Sequence, residues 1–353
     1  MKILHIITTI ELGGAEKQLL TLCDEQTQLE HMVKVIFLKG LPSLAPDFAD
    51  IGVETIDLSS ETFLNQIIRI KHISREFAPN VIHGHLPRAE LLCLFSNPKN
   101  GYCVTRHNAE KFWPGTPNIV SKTLSNLVIR NSKACVVISE AVRDFGKKSG
   151  EIPNSDKVKL VPYGIKSSRS PTRVESAGKI LNLLCISRLE FQKDLPTLLH
   201  SIQLIKARGF KVHLDILGEG SLEEDLKSIC NHLEIAPNVT FHGKIKDVEL
   251  FYRRADLLVL PSLYEGFGLV YLESLMHGLP VVTSRNSAAL EIFGREYDGL
   301  FDIGNYHELS NVIVKMSDKI FTTKRARLYE HILQKYDSKQ MAKALGEVYE
   351  FAF

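Results

Sequence analysis

The chain has 353 residues, 44% of them hydrophobic, enough to bury a sizeable core and long for one domain, so two domains are expected. Its formal net charge of +2 says little by itself, and no nucleic-acid partner is expected. The six cysteines (Cys23, Cys93, Cys103, Cys135, Cys185, Cys230) have no metal-ligand spacing and lie mostly in apolar runs. That pattern speaks against a disulfide or zinc framework and fits small core residues in a reducing compartment.

The opening residues, Met1 to Ile10, have the charge-then-apolar look of a signal peptide. His5 interrupts them, and Glu11-Leu12-Gly13-Gly14 offers no cleavage site, so a first buried strand over Ile3–Thr8 is expected. Gly13-Gly14-Ala15-Glu16 then opens a helix over Leu12–Leu29. It lacks the spacing of a dinucleotide fingerprint, which leaves a phosphate or sugar close to the backbone. Further strands are predicted at Val33–Leu38, Val81–His85, Tyr102–His107 and Ala134–Ser139, with a helix over Phe63–Phe77. His83-Gly84-His85 looks like two metal ligands on one strand face. No third ligand follows at a regular spacing, so polar strand-end residues are the preferred reading. His107 ends the next strand and is the better candidate for a hydrogen bond to a sugar.

From Lys99 to Lys148 there are nine Lys/Arg against three acids, a local excess of +6. Such a segment suits an anionic membrane surface or a phosphorylated acceptor, or is the solvated face of packed helices. No apolar run has the length of a membrane span. The protein is expected in the cytoplasm, with peripheral contact at the inner face of the cell membrane.

The polar stretch from Lys166 to Gly178 reads as a linker. After it the pattern restarts with strands at Ile180–Ile186, Val212–Leu217, Val239–His242, Leu257–Leu260 and Pro280–Thr283. Alternating strands and helices imply parallel sheets covered by helices. The expected architecture is therefore α/β, with two doubly wound, Rossmann-like domains facing across a cleft. The bounds are 1–165 for the first domain, 166–178 for the linker and 179–337 for the second.

Ligands of such sheets bind at the carboxyl ends of the strands. Gly13-Gly14, His85, His107, Arg188, Gly218-Glu219-Gly220, Gly243 and Glu265 all fall there. Arg188 and Lys193 are two cations where a strand hands over to a helix, which suits a diphosphate, Arg as a planar fork and Lys as a point charge. They equally suit surface pairing with Glu190 or Asp194. Gly218 and Gly220 are open to two readings, ligand approach or tight packing.

The densest motif is Pro261-Ser262-Leu263-Tyr264-Glu265-Gly266-Phe267-Gly268-Leu269-Val270-Tyr271-Leu272-Glu273: strand end, glycine turn, helix start. The first amides of such a helix lack partners and carry its positive dipole end. Glu265 lies in the turn, and Glu273 is expected more than two turns into the helix. No Asp-x-Asp pair occurs, so a metal held on a sugar diphosphate by that device is not expected.

With these residues in view, the chain resembles the retaining glycosyltransferases of the GT-B type, family four with the Glu-x7-Glu motif. That group includes bacterial polysaccharide, lipopolysaccharide-core and phosphatidylinositol mannosyl transferases. The resemblance is strongest from Leu183 to Glu291, where the Arg-x4-Lys pair, Leu217-Gly218-Glu219-Gly220, Phe241-His242-Gly243, Glu-x7-Glu and Gly278-Leu279-Pro280-Val281-Val282 occur in family order. It implies that Arg188 and Lys193 bind the donor diphosphate, and that Glu265 contacts the transferred sugar. Phe267, Gly268 and Leu269 would offer amides, Glu273 would accept from the ribose, and Ile245 would lie at the base. Gly13 and Gly14 would approach the diphosphate from the first domain, His107 would touch the sugar, and a final helix over 338–353 would return to that domain.

The resemblance further implies a metal-independent hexosyl transfer from a UDP-, GDP- or ADP-sugar, with no other cofactor, to a saccharide or lipid-linked acceptor in cell-surface glycoconjugate synthesis. Pro162-Tyr163-Gly164 stands where Pro-Asn-Gly is usual, and Ser187 and Asp194 stand where glycines are common. A non-catalytic nucleotide-sugar-binding subunit and a nucleotide-sugar epimerase or hydrolase of the same fold are the alternatives. A dehydrogenase is disfavoured by the missing fingerprint.

Overall fold

The computed structural model describes residues 1–96, 98–166, 180–318 and 323–353. The chain divides into two compact units, Met1–Lys166 with Tyr336–Phe353, and Ser167–Lys335. Residues 167–178 of the stretch read as a linker lie outside the described residues.

The first unit holds β1 (Lys2–Ile7), α1 (Gly14–Gln28), β2 (Met32–Phe37), α2 (Ala45–Asp50), β3 (Glu54–Asp57), α3 (Phe63–Phe77), β4 (Val81–His85) and α4 (Pro87–Ser96). It continues with β5 (Cys103–Arg106), α5 (Asn118–Asn131), β6 (Ala134–Val137), α6 (Glu140–Ser149) and β7 (Val158–Leu160). Its strands pair in parallel in the order β3-β2-β1-β4-β5-β6-β7. Central strands covered on both faces need near-continuous apolar runs. In β1, accordingly, Ile3, Leu4, Ile6 and Ile7 are all fully buried.

The second unit holds β8 (Ile180–Ile186), α7 (Leu195–Ala207), β9 (Lys211–Leu217), α8 (Glu223–His232), β10 (Val239–Phe241), α9 (Glu249–Arg254) and β11 (Leu257–Leu260). It ends with α10 (Leu269–Met276), β12 (Val281–Ser284), α11 (Ser287–Phe293), β13 (Leu300–Phe301), α12 (Tyr306–Asp318) and α13 (Thr323–Lys335). Its parallel sheet runs β10-β9-β8-β11-β12-β13. In both sheets the order reverses beside the first strand, between β1 and β4 and between β8 and β11. Crevices for ligands open at such switch points.

The last helix, α14 (Ser338–Ala352), belongs to the first unit and packs on α1. Ser338 Oγ donates to Glu25 Oε1 at 2.6 Å. The two places where the chain crosses between units are tied side by side: Ile165 N–H donates to Tyr336 O at 2.8 Å, and Ser338 N–H donates to Ile165 O at 2.9 Å. Gln18 braces this tie, donating to Gly164 O at 2.8 Å and accepting from Gly164 N–H at 3.2 Å.

All six cysteines are buried and free. Each strand expected from the sequence is present within two residues of its expected bounds. Three strands were not expected, β3, β7 and β13, and each is a sheet edge of two to four residues. Such segments are too short for a period to show.

Candidate active site

In the second unit, Arg188 follows β8 and is exposed, while Lys193 lies five residues on in a short 3-10 turn, Phe191–Lys193. Glu265 follows β11, the strand beside β8 across the switch point. Leu263 N–H donates to Gln192 O at 2.9 Å and ties the two loops. Lys193 Nζ donates to both carboxylate oxygens of Glu265, at 2.7 and 2.8 Å, in a pair whose side chains are 14% and 12% exposed. Ser262 Oγ donates to Glu265 Oε1 at 2.7 Å, and Ser262 O in turn accepts from Ser284 Oγ. The motif's serine therefore holds the glutamate. The sequence contained both residues and gave no sign of their contact.

Asp194, where the family commonly has glycine, adopts φ +48°, a left-handed conformation that Asp tolerates better than most residues. Thr197 Oγ1 donates to its carboxylate at 2.7 Å.

The loops after β8, β9 and β10 are stacked by backbone hydrogen bonds. Ser187 N–H donates to Leu217 O, Leu189 N–H to Glu219 O and Gly218 N–H to Gly243 O, at 2.8–3.0 Å. A Cβ at Gly218 would stand 1.9 Å from Ser187 O, and one at Gly220 would stand 2.3 Å from Leu189 O. Packing of the protein's own backbone accounts for these two glycines. At Gly13 a Cβ would meet first only the movable carboxylate of Glu16, at a φ of −139° open to any residue. Internal packing does not explain the glycine there.

Gly268, at φ +87°, caps α10, whose first amides have no carbonyl one turn back. Phe267 beside it is buried, and Leu269 is the first residue of the helix. Because the helix starts only there, Glu273 sits about one turn in, not more than two. The segment Gly266 to Gly268 is the expected turn, and Leu269 to Glu273 make only about one helical turn. Tyr252 O–H, from α9, donates to Glu273 Oε2 at 2.9 Å. Ile245 is half-buried in the loop after β10.

In the first unit, Gly13 precedes α1, and Gly14 is its exposed first residue. Thr9 Oγ1 donates to Glu16 Oε1 at 2.6 Å in the first turn. His107 follows β5 and is 8% exposed. It ends a buried row of imidazoles across β1, β4 and β5. His5 Nε2 donates to Gln26 Oε1 at 2.9 Å, His5 Nδ1 lies 2.9 Å from His85 Nε2, and His85 Nδ1 lies 3.1 Å from His107 Nε2. The Tyr163 hydroxyl closes the row on His107 Nδ1. His83 bonds Tyr349 and Thr105 at 2.7 Å each.

With Gln26 as acceptor at one end, one proton per ring satisfies every bond in the row, so three neutral imidazoles suffice. Burial lowers His5 to about 4 and, with the Arg106 charge, His107 to about 3. Burial also holds His83 and His85 well below the usual imidazole range, as do the neighbouring imidazoles.

His5 is the register partner of His83, and with His85 the three offer ligand atoms within 4.8 Å of one another. This third imidazole comes from a neighbouring strand and was invisible to spacing along the chain. All six ring nitrogens of the three are engaged in the hydrogen bonds just given. Both His107 nitrogens are also taken, so a sugar hydroxyl reaches this side chain only by displacing His85 or Tyr163. A cavity of about 30 Å³ lies beside the row, lined by Gln18, His85, Thr105, His107 and Tyr163 among others.

The loop between β5 and α5, with Trp113, is pinned by distant residues. Glu151 accepts from Phe112 N–H at 3.0 Å and from Ser121 Oγ at 2.5 Å. Arg106 lies over the Phe112 ring at 4.1 Å and pairs with buried Glu90 at 3.1 Å. Burial pushes Glu90 up to about 7, with Arg106 opposing. Of the nine basic residues between Lys99 and Lys148, Arg106 is thus buried and paired, and Arg143 pairs with Glu140. The surface carries less charge than the count suggested. Among the described residues, no helix is long and apolar enough to cross a membrane.

Residues 12–169 match the family model for Glycosyltransferase Family 4, and residues 170–332 match that for Glycosyl transferases group 1. An uncharacterized glycosyltransferase of Methanocaldococcus jannaschii is 30% identical over 178 residues, 48% of this chain and 45% of that protein. The alpha-monoglucosyldiacylglycerol synthase of Streptococcus pneumoniae is 28% identical over 217 residues, 56% of this chain and 48% of that one. The chain thus spans about half the length of these two relatives. The lipopolysaccharide core biosynthesis glycosyltransferase LpsE of Rhizobium meliloti is 23% identical over 258 residues, 70% of this chain and 68% of that protein. Among solved structures, Anabaena HepE in complex with UDP and glucose superposes with a TM-score of 0.85 at 17% identity, covering 99% of this chain and 100% of that one. The sucrose-phosphate synthase of Thermosynechococcus elongatus gives 0.82 at 16%, covering 99% of each chain. At such identities the likeness speaks for the fold, which is GT-B. With two family models tiling residues 12–332, the chain belongs to the group 1, family 4 glycosyltransferases.

Proposed function

We propose that the protein is a retaining, metal-independent glycosyltransferase that moves a hexosyl unit from a nucleoside diphosphate sugar to a saccharide or lipid-linked acceptor in the building of cell-surface polysaccharide or glycoconjugate. The observation that carries this reading is the Lys193–Glu265 pair at the β8/β11 switch point, with Arg188 on the same loop and the amino end of α10 following Glu265. Cations and helix amides suit a diphosphate, and a carboxylate beside them suits sugar hydroxyls. The relatives add support. HepE was solved with UDP and glucose, one homologue is a glucosyldiacylglycerol synthase, and another acts in lipopolysaccharide core biosynthesis.

In this reading Arg188 and Lys193 hold the diphosphate and stabilise the charge that grows as it leaves. The Gly268 and Leu269 amides, with that of Phe267, line the sugar side, Glu265 binds the sugar hydroxyls, Glu273 takes the ribose and Ile245 borders the base. Gly13 and Gly14 leave room for the donor at the amino end of α1, and His107 serves the sugar after Tyr163 yields. The bond from the sugar's anomeric carbon to the phosphate oxygen breaks, and its electron pair stays on the diphosphate. The acceptor hydroxyl attacks the same face, and its proton passes to the leaving phosphate oxygen. Positioning and fixed charge supply the catalysis.

The test is a thermal-shift screen against UDP, GDP, ADP and their common sugars, since a ligand that binds only the folded state raises the melting temperature. One base should shift it clearly. NMR of the product in the presence of EDTA should then show the donor's anomeric configuration retained. An inverted product, or transfer abolished by EDTA, would refute the mechanism.

Membrane contact we place on α5, where Ile119 is 69% and Leu127 44% exposed beside exposed Lys122 and Arg130. Apolar and basic side chains on one face suit an anionic surface. The protein should sediment with phosphatidylglycerol vesicles and not with phosphatidylcholine vesicles, and Lys122→Glu with Arg130→Glu should release it. Equal sedimentation with both lipids would remove the idea.

A further inference from the structure

Tyr252 and Glu273 stand on different helices, α9 and α10, and meet through one hydrogen bond from the phenol to Oε2 at 2.9 Å. The Tyr252 ring is 1% exposed. One of its faces lies against the His277 imidazole, with ring centroids 4.7 Å apart and planes 8° apart. His277 ends α10, and its N–H reaches back to Glu273 O. The helix that carries the carboxylate therefore also clamps the ring that holds it. Burial and the Glu273 charge push the phenol well above its ordinary value, which keeps it a donor. Glu273 is only half-buried, and among the described residues its Oε1 has no hydrogen-bond partner.

A glutamate has three rotatable side-chain bonds, and ordering it costs conformational entropy whenever a ligand demands one rotamer. A buried donor that fixes one oxygen removes that cost and leaves the other oxygen as an acceptor in a set direction. We infer that Tyr252 is a positioning residue: it fixes the Glu273 rotamer, leaves Oε1 to the vicinal hydroxyls of the donor's ribose, and so sets the preference for ribose over a sugar lacking that diol. This rests on the reading of Glu273 as the ribose acceptor. Tyr252 itself touches no ligand in this arrangement.

The experiment compares, for the full chain, the affinity of whichever of UDP, GDP and ADP binds with that of its 2′,3′-dideoxy analogue. The wild type should prefer the ribonucleotide. Tyr252→Phe should shrink that preference by about tenfold, the worth of one hydrogen bond to a charged group. The dideoxy affinity, which does not use the diol, should stay the same, and kcat at saturating donor should stay within about twofold. Glu273→Ala should abolish the preference.

If Glu273→Ala abolishes it and Tyr252→Phe leaves it intact, the inference is overturned while the ribose reading stands. A preference that survives Glu273→Ala overturns both. A Tyr252→Phe protein that loses both affinities in parallel makes Tyr252 a structural residue only and also overturns the inference. Failure of all three diphosphates to bind takes the ribose reading down, and the inference with it.

Discussion

Between pH 6.5 and pH 5 the first unit is expected to lose at least about 2 kcal/mol of stability, a sizeable part of what holds a domain folded. The cause is the cluster of His5, His83, His85 and His107, all buried and all held neutral well below the ordinary imidazole range. A base whose folded value is depressed stabilises the fold above its unfolded value, and that contribution is lost as pH falls. For these residues the loss begins near the ordinary imidazole value of 6.5 and runs down towards the folded values, about 4 for His5 and about 3 for His107. At pH 5 His5 and His107 have each cost ~2 kcal/mol, and His83 and His85 act in the same direction. Glu90 acts oppositely. Raised to about 7, it stabilises the fold at low pH and loses that contribution as pH rises, so on acidification it returns about as much as one histidine takes.

Trp113, the chain's single tryptophan, lies in the first unit and reports on it selectively. Its fluorescence should show a urea midpoint much lower at pH 5 than at pH 7. His83→Gln, which removes one titrating ring, should narrow the difference. Equal midpoints at the two pH values would mean that the imidazoles gain protons without unfolding.

The second large effect concerns Lys193 and Glu265. The lysine proposed for the diphosphate donates to both oxygens of a carboxylate, at 2.7 and 2.8 Å. A donor must share or displace that carboxylate, which also repels the phosphates. Lys193→Ala and Arg188→Ala should each lower turnover on the order of a hundredfold, the scale of losing one charge partner in the transition state. Glu265→Gln should lower turnover similarly while binding the free nucleoside diphosphate about tenfold more tightly, because the lysine is released and a like charge removed. Calorimetry of the diphosphate alone separates the two effects. Weaker binding to Glu265→Gln would mean that the carboxylate orients Lys193 for the ligand instead of competing with it.

Much of the fold was legible because buried parallel strands are continuous apolar runs and their carboxyl ends are marked by glycine, histidine or charge. The same signals put Arg188, Lys193, Glu265 and His107 at strand ends. What the chain could not show was which ends become neighbours. Lys193 meets Glu265 because β8 lies beside β11, and His5 meets His83 because β1 lies beside β4. Sheet order is decided by packing between elements, and no local period carries it. Tyr252 and Glu151 went unnoticed for the same reason: each acts on a residue of another element through one or two hydrogen bonds. The glycine turn and the helix start after Gly268 were legible, and only the depth of Glu273 was overstated, since Leu269 to Glu273 spans about one turn.

The tie between Ile165 and Tyr336–Ser338 gives the chain the topology of a cassette inserted into a host. Entry and exit leave the first unit as adjacent backbones, so joining Lys166 to Tyr336 through a few glycines excises the second unit without cutting a strand or helix of the first. Terminal points this close are what make domain insertion and swapping tractable. The corresponding cassette from a relative has, at these two residues, natural seams for exchange.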